Sequence, residues 1–249
     1  MSDASAVRSK NIIFKAGLYR VDMSGNSCSV FNELYVEMVK KIGPRSILDI
    51  GAGQGKYADL TRQAGIDAHV TATEIVQHYV ADYGLREKYD DVLVMDAADM
   101  VADPVYRNRL YDLAIIGDCI EHIPKSRALD LLNFLTYRCA YIVVIAPEFL
   151  YYDVSDMEHS EAHISVWSEH DFGWHDRWAF MRSEFMQIFI MRGYQPYSIS
   201  LEGLIGSINT RSVPVLRQDG SALKPAHLEV RIRQSIELGD GTPYTFRHG

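Results

Sequence analysis

The stretch Gly117–Ile123 reads GDCIEHI, and three of its side chains, Asp118, Glu121 and His122, are equipped for chemistry. Two carboxylates and an imidazole at i, i+3 and i+4 share one face of a helix. Hard oxygen ligands suit magnesium or manganese, and imidazole extends the range to borderline metals, so the trio reads as half of a divalent metal site. A second reading stands beside it. Asp118 followed three residues later by Glu121 is also a capping box, in which each side chain satisfies a backbone N–H of a new helix. That reading accounts for the two acids and leaves His122 unexplained.

What positions these groups is a run of strands and helices. Leu113 to Ile116 are apolar on both sides of any strand they form, which predicts the centre of a sheet ending where GDCIEHI begins. Further strands are expected at Ser46 to Gly51, His69 to Glu74, Val92 to Asp96 and Tyr141 to Ala146. Helices are expected at Tyr57 to Gln63 and Ser126 to Cys139. Phe31, Leu34, Tyr35, Met38 and Val39 recur at helical spacing before the breaker Gly43-Pro44, which predicts an amphipathic helix. Alternation of this kind builds a parallel sheet wrapped by helices. Past Pro147 the rhythm changes to a polar and aromatic connection, then a helix around Glu184 to Met191, then strands near Tyr197 and from Leu228 to Ile232.

The first strand ends in LDIGAGQGKYADL, Leu48 to Leu60. Gly51, Gly53 and Gly55 allow a sharp turn and bring main-chain N–H groups at a helix amino end within reach of a ligand. The dinucleotide fingerprint requires a third glycine three positions after the second, and Lys56 stands there instead. The pattern D-x-G-x-G-x-G resembles the first motif of the class I S-adenosylmethionine (SAM) dependent methyltransferases. The resemblance runs from about Ile47 to Glu148. It implies that Asp49, Gly51, Ala52, Gly53 and Gly55 hold the amino-acid part of SAM. It also implies that Glu74, closing VTATEI ahead of Ile75, holds the ribose hydroxyls, and that Asp96 and Ala97, in LVMDAADM, lie beside the adenine. Asp118 would then face the methyl donor.

A later segment, EHSEAHISVWSEHDF from Glu158 to Phe172, resembles the H-x-x-x-W-[ST]-x-x-x-F stretch of several O-methyltransferases, most of all the metal-assisted enzymes that methylate the terminal ribose 2'-hydroxyl of small RNAs. Ubiquinone-pathway O-methyltransferases carry a similar acid-x-x-E-H. The resemblance implies a magnesium or manganese site made by Asp118, Glu121, His122 and His163, with aspartate where the RNA enzymes have glutamate. Glu121, His122 and His163 are accordingly the expected catalytic residues. His163 reads as a ligand or, without metal, as the general base that takes a proton from the acceptor hydroxyl. His159, His170 and His175 crowd the same connection. Trp167, Trp174, Trp178, Phe149, Phe172, Tyr151 and Tyr152 form either a substrate wall or the packing of a lid, with Tyr151, Tyr152 and Trp167 expected nearest the site.

Composition narrows the acceptor. The chain has 249 residues, 47% of them hydrophobic, with a formal charge of -8. No apolar run approaches the ~20 residues that span a bilayer, so no membrane partner is expected. The negative charge argues against a broad basic grip on nucleic acid, leaves a local groove open, and favours a small-molecule or sugar acceptor. Cys28, Cys119 and Cys139 show no zinc or C-x-x-C spacing, and the amino terminus lacks the apolar core of a signal peptide, which predicts a reduced, cytoplasmic protein. The expected fold is an α/β Rossmann-like class I methyltransferase with a mostly parallel seven-stranded sheet, helices on both faces and a small cap after strand 5. Residues 1–44 are expected as a helical extension and 45–249 as the methyltransferase domain, with the cap at about 149–182. The expected activity is methyl transfer from SAM to oxygen, less readily nitrogen. The alternatives are an RNA 3'-terminal ribose 2'-O-methyltransferase and a non-catalytic SAM- or nucleotide-binding module.

Overall fold

The computed structural model describes residues 27–149, 162–233, 235–237 and 239–245. Five strands alternate with helices through the first two thirds of the chain: β1 (Ser46–Ile50), β2 (His69–Glu74), β3 (Asp91–Val94), β4 (Tyr111–Gly117) and β5 (Cys139–Pro147). Every residue of β5 is buried, as the unbroken run YIVVIA requires of a strand covered on both faces. The chain lays β1, β2 and β3 outward in one direction, then returns to place β4 and β5 on the other side of β1, all parallel. The strand order therefore reverses at the β1–β4 boundary, where open α/β sheets form a crevice beyond the strands' carboxyl ends.

A hairpin of β6 (Arg177–Ser183) and β7 (Met186–Arg192) completes the sheet, with β7 antiparallel between β5 and β6. Two late strands, β8 (Pro214–Leu216) and β9 (Ala222–Pro225), pair separately, and β10 (Glu229–Ile232) adds to the outer edge of β6. The main sheet thus has eight strands in the order β10-β6-β7-β5-β4-β1-β2-β3, one more than the seven expected. Six run one way, while β7 and β10 oppose them.

Helices α1 (Asn32–Ile42), α2 (Lys56–Gln63) and α6 (Leu201–Thr210) pack on one face, and α5 (Lys125–Thr136) covers the other; α3 (Tyr79–Asp82) and α4 (Leu85–Lys88) are short turns between β2 and β3. Leu131, Leu132 and Leu135 of α5 bury at i, i+1 and i+4 against Ile116, Ile142 and Val144. None of the described helices is long and apolar enough to cross a membrane.

Three expectations are corrected and one helix is added. Glu184 to Met191 is not helical: Met186–Arg192 is β7, and Glu184 turns the hairpin at φ 54°. A short, continuously apolar run such as MQIFIM does not separate helix from strand by periodicity, and pairing with β6 decides it. Tyr197 lies in irregular chain and not in a strand, and its hydroxyl donates to the carbonyls of Ile42 and Gly43, 3.1 Å each, at the end of α1. Helix α6 was not anticipated, although Leu201, Leu204, Ile205 and Ile208 bury at i, i+3, i+4 and i+7 and Ser200 caps it through Gly203 N–H at 3.1 Å. The predicted helix to Cys139 stops at Thr136, because Cys139 already opens β5.

The cap expected at about 149–182 contributes its last residues to the main sheet as β6, while Trp167 and Phe172 join the core with Trp178 and Phe189. Trp167 is therefore core packing and not a substrate wall. Tyr151, Tyr152 and His159 lie outside the described residues, as do residues 1–26 of the expected N-terminal extension.

Candidate functional site at the carboxyl ends of β1, β2 and β4

The glycine loop after β1 folds as the spacing predicts, with Gly51, Gly53 and Gly55 at φ 72°, 50° and 82°. At Gly51 a side chain is impossible for a second reason, since its Cβ would collide with Cys119 Sγ, which ties the loop to the end of β4. Four N–H groups of the loop are taken within the protein. Gly51 and Ala52 both donate to Thr73 O at 3.0 Å, Gly53 donates to Glu74 Oε2 at 2.9 Å, and Gly55 donates to Ala52 O at 2.8 Å. These donors bind the loop to β2 and to itself.

Asp49 is fully buried below the loop and accepts a hydrogen bond from the Tyr89 hydroxyl at 2.5 Å. Burial pushes its carboxyl up to about 7, partly offset by Tyr89 and by the charge of Lys56. Glu74 at the end of β2 is also buried. Its second oxygen accepts Val76 N–H at 2.9 Å, so one carboxylate braces the turns after both β1 and β2. Ile75 beside it is 56% exposed, an apolar surface at the position the resemblance gives to the cofactor. Asp96 caps the 3-10 turn that follows β3 through Ala98 N–H at 2.9 Å. It also pairs with Arg127 of α5 at 2.8 Å, and Arg127 bridges on to Asp99 at 2.7 Å. Ala97 is buried.

GDCIEHI does not form the first turn of a long helix. Asp118 adopts φ 49°, a left-handed conformation that aspartate tolerates better than most residues. Ile120–His122 is a single 3-10 turn, and α5 begins at Lys125 after Pro124. No side-chain cap is made at this turn, so the capping-box reading is corrected. The common helical face is lost as well. Asp118 turns toward the chain before α1, accepting Cys28 N–H at 3.1 Å, and burial pushes its carboxyl up to about 6 against the pull of Lys56 and that N–H.

Glu121, His122 and His163 do meet. One candidate ligand atom from each lies within 4.8 Å of the others, and Asp118 is not part of this group. The segment carrying His163 is stapled onto the turn. Ile164 and Ser165 donate their N–H groups to Glu121 O at 2.8 and 3.0 Å, Ser165 Oγ donates to Ile120 O at 3.1 Å, and Trp167 Nε1 donates to Ser165 Oγ at 2.8 Å. Gln187 of β7 then donates to the Trp167 carbonyl. Nδ1 of His122 lies 3.2 Å from Ala162 O, which makes it the protonated nitrogen and Nε2 the lone-pair nitrogen. The His122 and His163 rings meet edge to face at 4.8 Å. Burial, with the neighbouring His122, pushes His163 down to about 4, so its imidazole is neutral at pH 7, and its buried Nδ1 has no hydrogen-bond partner. His170 is exposed and His175 is buried with Nε2 2.8 Å from Arg192 O, so neither joins the group.

No protein-family model and no curated protein sequence matches the chain. Solved structures do match. The methyltransferase domain of bacterial CtHen1 superposes at TM-score 0.50 and 15% identity, covering 66% of this chain and 98% of that one. The PH0226 protein of Pyrococcus horikoshii OT3 gives 0.50 at 13% identity, covering 67% and 90%. Human N-acetylserotonin methyltransferase, solved with SAM, gives 0.48 at 16% identity; the two overlap over 67% of this chain and 52% of that enzyme, about half its length. The chain has the class I methyltransferase fold.

Within that fold, several side chains that shape the site had escaped notice in the sequence. Lys56 follows the glycine loop and registers there only as the residue that breaks a dinucleotide fingerprint. Its ammonium donates to Cys28 O at 2.7 Å. Tyr57 follows it, fully buried against Gly117, where a Cβ would collide with the ring. Tyr89, Arg127 and Gln187 support Asp49, Asp96 and the His163 segment from 20 or more residues away, and Ser165, two residues from His163, fixes that segment to Ile120, separations that leave no local signal.

Proposed function

We propose that this protein is a SAM-dependent methyltransferase that transfers the methyl group to a hydroxyl oxygen of a small molecule or sugar. The observation that carries the reading is the convergence of Glu121, His122 and His163 just after β4, in a sheet whose strand order reverses between β1 and β4, with the glycine loop following β1. The convergence unites two segments about forty residues apart. The S–CH3 bond breaks with its electron pair returning to sulfur as the O–CH3 bond forms, and the hydroxyl proton must leave to a base.

The donor set fits a divalent cation: a buried carboxylate, an imidazole with Nε2 as its lone-pair nitrogen, and a neutral imidazole with an unpartnered Nδ1. When bound there, magnesium or manganese supplies Lewis acidity that lowers the pKa of an acceptor hydroxyl. Glu121 supplies the anionic ligand, and the Ala162 carbonyl orients His122. His163, held neutral near pH 7, is better suited to ligation than to proton abstraction, which works best when the base's pKa lies near the working pH.

The terminal ribose of an RNA is the second reading, favoured by the same carboxylate and two-histidine constellation. The formal charge of -8 favours the small acceptor. The deciding measurements are manganese binding by the chelated protein and turnover against a panel of hydroxyl acceptors and 3'-terminal RNA. Glu121→Gln and His163→Ala are expected to abolish manganese binding and turnover while S-adenosylhomocysteine still binds. Full turnover after exhaustive chelation, with no metal by elemental analysis, would leave His163 as a base without an ion. Salt-sensitive micromolar RNA binding with ribose methylation would replace the small acceptor. SAM binding with no turnover on any acceptor would support a sensing module.

A further inference from the structure

The glycine loop leaves a problem for any zwitterionic ligand, because its N–H groups at Gly51, Ala52, Gly53 and Gly55 are all committed within the protein. Two opposite charges flank the same crevice. Lys56 begins α2 directly after the loop, and Asp118 follows the end of β4; each is partly buried and each feels the other's charge. Between them lies one peptide. Asp118 Oδ2 accepts the N–H of Cys28 at 3.1 Å, and Lys56 Nζ donates to the carbonyl of Cys28 at 2.7 Å.

A carboxylate gripping an N–H and an ammonium gripping a C=O on the same residue reproduce the polarity of an α-amino acid, whose ammonium and carboxylate would be gripped by the same two groups. A second observation points to the same place. Tyr57, 3% exposed, sets its hydroxyl against Gly117, the residue before Asp118, and that hydroxyl has no hydrogen-bond partner. A buried donor left unpaired is costly, which suits a role in ligand contact.

We propose that Lys56 and Asp118 form a two-ended clamp for the carboxylate and ammonium of the methyl donor's amino-acid end, and that the Cys28 peptide competes for that clamp. The inference rests on the SAM reading above. The Cys28 peptide already takes Oδ2 of Asp118 and one N–H of the Lys56 ammonium, so on this proposal donor binding draws both contacts away from the segment before α1. The chain's own backbone thereby sets a threshold on donor affinity. It selects ligands that carry an amino-acid end over those that carry only the nucleoside.

Calorimetry on the full chain with two probes tests this: S-adenosylhomocysteine, which has the amino-acid end, and 5'-methylthioadenosine, which lacks it. Lys56→Met is expected to weaken S-adenosylhomocysteine about 10- to 100-fold, the usual range for a lost charge-assisted hydrogen bond, and to leave methylthioadenosine unchanged. Cys28→Pro removes the competing N–H and is expected to tighten S-adenosylhomocysteine several-fold, again without effect on methylthioadenosine, whose binding also reports that each variant is folded. In the unmodified protein, S-adenosylhomocysteine but not methylthioadenosine should speed amide exchange at Cys28. A ratio of the two affinities insensitive to Lys56 overturns the clamp alone. Unchanged or weaker S-adenosylhomocysteine binding in Cys28→Pro, or Cys28 exchange that is unchanged or slowed, overturns the competition. If the unmodified protein binds neither probe, the SAM reading falls and the clamp falls with it.

Discussion

The two walls of the crevice are built by different means. On the side proposed to hold the methyl donor, acids at strand ends grip backbone N–H groups of nearby turns: Glu74 holds Gly53 in the loop after β1 and Val76, and Asp96 holds Ala98. On the side proposed to face the acceptor, a distant segment is pinned to the β4 turn by a relay from Gln187 through Trp167 and Ser165 to Ile120 and Glu121. The first wall forms as soon as β1, β2 and β3 lie in register. The second also needs β7 in place. Damage to the donor wall should therefore unsettle the whole crevice, whereas damage to the relay should abolish turnover and spare the cofactor.

The largest break in that comparison is Glu74→Ala. It strips the acceptor from two N–H groups at once, each worth about 1 to 3 kcal/mol when left buried and unpaired. We expect a marked fall in melting temperature together with loss of S-adenosylhomocysteine binding, and Glu74→Gln, which keeps one acceptor oxygen, should recover part of both. A stable Glu74→Ala protein with unaltered binding would show that the donor wall does not depend on this carboxylate.

Ser165→Ala probes the other wall. It leaves the Trp167 indole N–H without its acceptor and frees the segment two residues from His163, at an expected cost of about 1 to 3 kcal/mol in stability. Turnover should drop while S-adenosylhomocysteine affinity holds. A parallel fall in both would mean that the two walls are mechanically one.

The same contrast explains what was legible in the sequence. The donor wall rests on short-range grammar: apolar runs that end in Asp49, Glu74 and Asp96, and glycines at alternate positions. The five parallel strands and the elements flanking the loop were therefore readable. What failed was long-range or conformational. MQIFIM is a strand through its pairing with β5 and β6, and Asp118 leaves the expected helical face by adopting a left-handed φ, which no spacing rule encodes. Lys56 and Cys28, 28 residues apart, meet only in the folded crevice. Helix α6 is the exception, since its i, i+3, i+4, i+7 pattern with a serine cap is a local signal as plain as that of α1.

A smaller effect should follow pH. Asp49 holds its proton more tightly folded, up to about 7, than its ordinary value of 3.8. Between those values the folded chain carries more protons than the unfolded one, so stability falls as pH rises through the window and levels off above it. Asp118, pushed up to about 6, acts in the same direction over a narrower range. Tyr89 and Lys56 already offset part of the burial, which limits the size of the effect. Urea midpoints from pH 4.5 to 7.5 should decline in the parent and flatten in Asp49→Asn; equal slopes would place the buried proton elsewhere.

The smallest effect is expected where the donor wall reaches solvent. Arg127 spans Asp96 and Asp99 with two short contacts, yet its side chain is 43% exposed and that of Asp99 68%. Water competes for such pairs, and their usual contribution is about 0 to 1 kcal/mol. Asp96 keeps its second role, capping the turn through Ala98 N–H, whether or not Arg127 is present. Arg127→Met should therefore shift the melting temperature slightly, less so at high salt, and change S-adenosylhomocysteine affinity less than either Glu74→Ala or Lys56→Met. A loss as large as that of Glu74→Ala would mean that α5, which otherwise belongs to the acceptor half through Lys125 and its 2.7 Å contact with the Val166 carbonyl, is the element through which the two walls communicate.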